Sequence, residues 1–85
     1  MECVATLKEY TTSAWCLVYA NDLLYSGCFD KTIKIWKDFK SISILKGHTN
    51  RVFSLAYNNG LLYSSSNDKT IKVWKEIGAF TKRAL

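Results

Sequence analysis

Apolar and polar positions alternate with a period near two through most of this chain, in short runs broken by turn-forming residues every 8–10 positions. AWCLVYA (14–20) and VFSLAYN (52–58) are dense in aromatic and aliphatic residues and read as strands. Ala20-Asn21-Asp22 and Asn58-Asn59-Gly60 follow them as turns, and Asn59-Gly60 is a strong hairpin signal because both residues tolerate positive φ. LLYSGC (23–28) and LLYSSS (61–66) are predicted return strands. Asp30-Lys31 and Asp68-Lys69 mark the next turns. TIKIWK (32–37) and TIKVWK (70–75) then supply β-branched third strands. SISILK (41–46) alternates cleanly and is a predicted fourth strand, with ATLKE (5–9) in the corresponding place before the first unit. EIGAFTKRAL (76–85) makes a weaker fourth strand, interrupted by Gly78, Thr81, Lys82 and Arg83.

The strands belong to a repeat. Residues 7–37 align without a gap on residues 45–75, a shift of 38, and 17 of the 31 positions are identical. A fixed period of this length signals a solenoid, a propeller or an array. Four short antiparallel strands in each unit of about 40 residues make a propeller blade. The predicted fold is therefore all-β, with two four-stranded antiparallel blades at 3–45 and 46–85.

Composition narrows the picture. Of the 85 residues, 48% are hydrophobic and 22% charged, which is a globular balance. No apolar run approaches the about 20 residues of a membrane-spanning helix, so no membrane partner is expected. The start, Met1-Glu2-Cys3-Val4, lacks the basic and apolar regions of a secretory leader, and the expected location is intracellular and cytoplasmic. Cys3, Cys16 and Cys28 are odd in number and lack metal-ligand spacing. They are expected to be buried thiols, with no metal and no cofactor.

The net charge of +5 raises nucleic-acid binding as an alternative. Lys31, Lys34, Lys37, Lys69, Lys72 and Lys75 alternate with apolar strand residues, so they are expected to be solvated. Arg51 and Arg83 stand apart. A phosphate-binding face concentrates its basic residues and interleaves aromatics, so a basic nucleic-acid-binding module is the weaker reading.

Two signatures carry a family resemblance. Lys46-Gly47-His48 opens the second unit, and Asp68-Lys69-Thr70-Ile71-Lys72-Val73-Trp74 closes it. Both resemble the WD-repeat family, over about residues 3–77. Trp36-Lys37 and Trp74-Lys75 stand where that family usually writes Trp-Asp. The resemblance implies a buried polar chain in each blade: His48, Ser64, Asp68 and Trp74 in the second, and Ser26, Asp30 and Trp36 in the first. Tyr10 and Glu9 replace the His and Gly of the first unit, and that unit is expected to be the looser. His48, Ser64 and Asp68 also have the residue types of a hydrolase triad. However, they recur at blade period beside a Trp, and no Gly-x-Ser-x-Gly elbow or phosphate-cradling loop is present. No catalytic residues are expected.

The resemblance further implies a scaffold for protein interactions, with recognition at the narrower top face. Ser13, Trp15, Phe29, Arg51, Phe53 and Asn67 match that face, and they differ between the units as recognition positions would. Burial of Trp15 and Phe53 between the blades is the alternative. The turn style and the Leu-Leu-Tyr-Ser strands also resemble repeats of F-box/WD-repeat ubiquitin-ligase receptors and myosin heavy-chain kinases, which implies substrate recruitment as a further alternative. A closed propeller has typically 4–8 blades. Two blades are thus expected to be a piece of a longer propeller, a ring closed by self-association, or an open unit with exposed edges. In the self-associating case, ATLKE of one copy would complete the second blade of another.

Overall fold

The computed structural model describes residues 1–8, 12–76 and 82–84. Eight strands form in chain order: β1 (Ala14–Ala20), β2 (Leu23–Cys28), β3 (Ile33–Lys37), β4 (Lys40–Leu45), β5 (Val52–Asn58), β6 (Leu61–Ser66), β7 (Ile71–Glu76) and β8 (Lys82–Ala84). They build two antiparallel meanders, β1-β2-β3-β4 and β5-β6-β7-β8. The structure is open: two blades lie side by side and no ring closes.

Turn chemistry sets the hairpins. Asn21 and Asp22 have φ of 52° and 64°, and Asn59 and Gly60 have 49° and 78°. Paired positive φ values are the left-handed turn geometry whose twist matches the flanking strands. Asp38 and Phe39 do the same between β3 and β4, a turn with no Gly or Asn to announce it. Lys31 and Lys69 also take positive φ, at 78° and 72°. The aspartate preceding each caps the following Thr amide, with Asp30 Oδ1 3.1 Å from Thr32 N and Asp68 Oδ1 2.9 Å from Thr70 N.

The blades stack face to face. In the first sheet Cys16 lies opposite Gly27 and Val18 opposite Tyr25, which sets those four on one face with Ile33 and Ile35. In the second sheet Leu55 lies opposite Ser64 and Tyr57 opposite Leu62, on the face shared with Trp74. These two faces meet in one core of Tyr25, Ile33, Ile35, Leu45, Val52, Leu62 and Trp74, with Leu55 and Tyr57 packed against it. The Tyr25 and Tyr57 rings stack at 5.8 Å, and Asn21 Nδ2 donates to the Tyr57 hydroxyl at 3.0 Å across the blades. Gly27 allows the close approach. A Cβ there would stand 2.7 Å from Val52 Cγ1 and 2.5 Å from Cys16 Sγ.

Several sequence expectations need correction. Residues 5–8 of the predicted strand ATLKE form no strand, and beside β7 the outer position is taken by β8. Leu7 instead lines a cleft beside Trp36 and Leu24. The third strands start one residue later than predicted, at Ile33 and Ile71, because Thr32 and Thr70 are held by the turn aspartates. β4 lies one residue earlier than predicted, directly after the Asp38-Phe39 turn, and Lys82 and Arg83, expected to interrupt the last strand, lie within β8. Lys34 is buried rather than solvated. Cys28 is buried as expected, but Cys16 is half-buried and Cys3 is exposed, since Cys3 lies in the segment that joins no sheet. Tyr10 and Glu9 fall outside the described residues.

Candidate functional site

Two polar chains run through the blades. In the second blade the Trp74 indole N–H donates to Ser64 Oγ at 2.9 Å. His48 Nε2 lies 2.7 Å from the same oxygen, and His48 Nδ1 lies 2.8 Å from Asp68 Oδ2. One assignment satisfies every group: Nδ1–H donates to the carboxylate, and the serine hydroxyl donates to Nε2 while accepting from the indole. Thr70 Oγ1 and the Thr49 and Thr70 amides also point at Asp68. The Thr70 hydroxyl foremost, with help from His48 and those amides, outweighs partial burial and holds the Asp68 carboxyl well below the usual carboxylate range.

This arrangement has little room for chemistry. Ser64 is fully buried, and its hydroxyl is committed to Trp74 and His48. No substrate carbonyl can reach it without opening the blade. Among the described residues no group of His, Cys, Asp and Glu side chains is placed to hold a metal ion.

The first blade keeps the indole bond, Trp36 Nε1 to Ser26 Oγ at 3.0 Å. Beside Asp30, however, stands a lysine. The buried Lys34 ammonium lies 3.0 Å from Asp30 Oδ2 and 2.8 Å from Thr32 Oγ1. Burial alone would raise the Asp30 carboxyl, but hydrogen bonds from Thr32 and Lys34 outweigh it and lower the pKa. Thr12 Oγ1 adds a bond from the Asp30 amide at 2.9 Å. The expectation of a looser first unit rests on Tyr10 in place of the histidine; Tyr10 lies outside the described residues, and it is Lys34 that bonds Asp30 here. Sequence reasoning missed Lys34 because its counterpart, Lys72, is only half-buried and the two share one motif.

At one end of the sheets the predicted rim residues converge. Trp15 lies 6.0 Å from Phe29 and 5.8 Å from Phe53, ring centre to ring centre. The Arg51 guanidinium sits over Phe29 at 4.6 Å and over Phe53 at 5.8 Å. Trp15, Phe29 and Phe53 are 53%, 48% and 42% exposed, so Trp15 and Phe53 belong to the surface and not to the core between blades. Ser13 and Asn67 serve the backbone. The Phe29 amide donates to the Ser13 carbonyl at 3.0 Å, and the Asn67 amide to the Arg51 carbonyl at 3.1 Å. These matched bonds tie each turn after β2 and β6 to the residue that leads into β1 and β5.

The WD domain, G-beta repeat family matches the chain at residues 1–37 and 39–75. The second match opens with β4, which structurally completes the first sheet, so the sequence repeat and the blade are offset by one strand. A search of curated proteins gave no match. Among solved structures, the computationally designed Ika4 protein superposes with a TM-score of 0.78 at 25% identity, over 96% of this chain and 52% of that one. The designed Ika8 protein gives 0.72 at 26% identity, over 82% and 23%. The WD40 β-propeller domain of Doa1 gives 0.72 at 25% identity, over 96% and 29%. This chain spans about half or less of each of those chains.

Proposed function

The chain belongs to the WD-repeat family, whose propellers are in general protein-interaction scaffolds, and from that premise we propose that it is a non-catalytic part of a larger propeller that receives a protein or peptide partner on its rim. One observation carries this reading: Trp15, Phe29, Arg51 and Phe53 come from both blades and lie against one another, the three rings about half open to solvent and Arg51 half-buried over them. Aromatic residues and arginine are the preferred anchors of protein interfaces. Rings that already pack together also lose little freedom on binding. The guanidinium supplies a fork of donors among them, so the partner chemistry that fits is an apolar side chain next to a carboxylate.

The buried Ser64 supports the non-catalytic part of the reading, and the three free thiols fit a reducing, cytoplasmic setting. The experiment is a peptide array probed with the chain and with its Trp15→Ala, Phe29→Ala and Phe53→Ala variants, each shown by circular dichroism to keep its sheet. Peptides with an aromatic or aliphatic residue beside Asp or Glu should be enriched, and each variant should bind them about tenfold or more weakly. Equal binding by all three variants would place the site elsewhere.

A further inference from the structure

The contact between the two blades is made largely of residues whose counterparts 38 positions away lie on the two outer faces of the pair, the first of them bordered by Leu7. The first blade buries Tyr25 and Ile33 against the second. Their counterparts Tyr63 and Ile71 lie on the outer face of the second blade, opposite Val73 and Ser65 in the sheet, and Ile71 is 70% exposed. Conversely, Leu55 and Tyr57 of the second blade pack against the first. Their counterparts Leu17 and Tyr19 are 62% and 67% exposed on the outer face of the first blade. A cleft of about 430 Å³ opens there between Tyr19, Leu24, Trp36 and Phe39.

We propose that this chain binds a second copy of itself head to tail, the outer face of the second blade in one copy covering the outer face of the first blade in the next. The polar bond across the blades is repeatable. Asn21 Nδ2 donates to the Tyr57 hydroxyl within the chain, and the exposed Asn59 and Tyr19 are the same two residue types for a bond between copies. The stacked ring pair Tyr25–Tyr57 has Tyr63 and Tyr19 as its counterpart.

Around Gly27, where the two units differ, the steric match is complementary. Gly27 has no Cβ because Val52 fills its space. Between copies the facing pair is Ser65 and Ala14. The larger residue sits where glycine was, and the smaller sits where valine was. Cys16, which also crowds Gly27, is likewise replaced by the smaller Ser54. Such volume-conserving exchanges keep a packed interface intact. A head-to-tail contact closes when its rotation closes. With typically 4–8 blades in a ring, about two to four copies suffice.

The test is the mass of the whole chain in solution, by light scattering over a concentration series. The wild type should reach two or more protomers. Leu17→Lys and Ile71→Lys each disable one of the two faces, at side chains that the folded chain leaves exposed, and each variant should stay monomeric. An equimolar mixture of the two retains one intact pair of faces, so its mass should double to that of a dimer. Tyr19→Phe and Asn59→Gly, the latter keeping a residue that tolerates the turn's positive φ, are milder and should weaken association several-fold with the far-ultraviolet spectrum unchanged. A wild type that stays monomeric to near-millimolar concentration overturns the proposal. So does association by the two lysine variants alone equal to that of the wild type, because strand edges and not sheet faces would then hold the copies together. None of the four substitutions touches the rim residues, so failure here leaves the reading of the rim untouched.

Discussion

Lys34 holds Asp30 at 3.0 Å in the first blade, in the role that His48 fills beside Asp68 at 2.8 Å in the second. The substitute is unsymmetrical in its consequences. Lys34 is 3% exposed, so its ammonium depends on Asp30 and Thr32 for compensation. Removing one partner of a buried pair costs more than replacing the charged group by an apolar one of similar shape. Asp30→Ala should therefore destabilise by about 1–3 kcal/mol, and Lys34→Met by less. Urea melts at one protein concentration decide it, and a neutral Asp30→Ala would count against the buried pair.

Trp74 sits in the core between the blades at 3% exposure and gives its N–H to Ser64. Trp36 makes the equivalent bond, but it borders an open cleft. Trp74→Ala should cost about 3–5 kcal/mol, in the range for buried large-to-small changes. Trp36→Ala should cost less, because solvent already reaches the cavity's edge. Equal losses in thermal or urea melts would mean that the two blades are packed alike.

Gly27→Ala forces a Cβ to within 2.7 Å of Val52 Cγ1, so something must shift. Overpacking of this kind costs about 1–3 kcal/mol. Val52→Ala on its own opens a cavity, since Val52 is fully buried. Combined, the two changes should partly compensate, with a favourable coupling of at least about 0.5 kcal/mol in a double-mutant cycle. Simple additivity would mean that the crowding falls on Cys16 Sγ of the same blade, 2.5 Å from the added Cβ, and not on Val52 of the other.

Both turn aspartates have lowered pKa values in the folded chain. A lowered carboxyl pKa means that the folded state binds protons less readily than the unfolded one, so stability falls as pH falls. The contribution should be complete above the unfolded value of about 3.9 and decline as pH drops through the folded values. Melts in the acid range check this. Asp68→Asn should flatten the acid dependence more than Asp30→Asn, because the Asp68 shift is the larger.

Arg51→Ala should weaken binding of an acidic peptide while leaving the melt nearly unchanged, because its guanidinium lies on the surface over Phe29 and Phe53. Arg51→Lys should rescue only part of that binding, since an ammonium lacks the planar fork. Titration calorimetry with an array-selected peptide would measure both. Full activity in Arg51→Ala would confine recognition to the rings.

The sequence by itself determined β1, β2, β5, β6 and the hairpins that join them, and the family resemblance implied the Ser, Asp and Trp members of the polar chains, whereas the Asp38-Phe39 turn and the Lys34 partner of Asp30 carried no such signal. Alternation with period two and Asn/Asp/Gly turns are local properties, so β1, β2, β5 and β6 match the predicted runs residue for residue. The repeat placed Ser26, Asp30 and Trp36 at the same spacing as Ser64, Asp68 and Trp74, and spacing within a blade fixes who can bond to whom. Burial was not legible in this way, because it depends on what covers a face. Lys34 and Lys72 share one motif, yet only Lys34 is buried beside its aspartate, since no histidine is placed there to take the carboxylate. Ile33 and Ile71 are likewise identical in context, yet one is buried and the other exposed, because a second blade covers only the first. ATLKE has the pattern of an outer strand, but a strand needs a partner edge, and residues 5–8 pair with none among the described residues. Pattern decides which residues can pair. Only the tertiary arrangement decides which faces and edges are occupied.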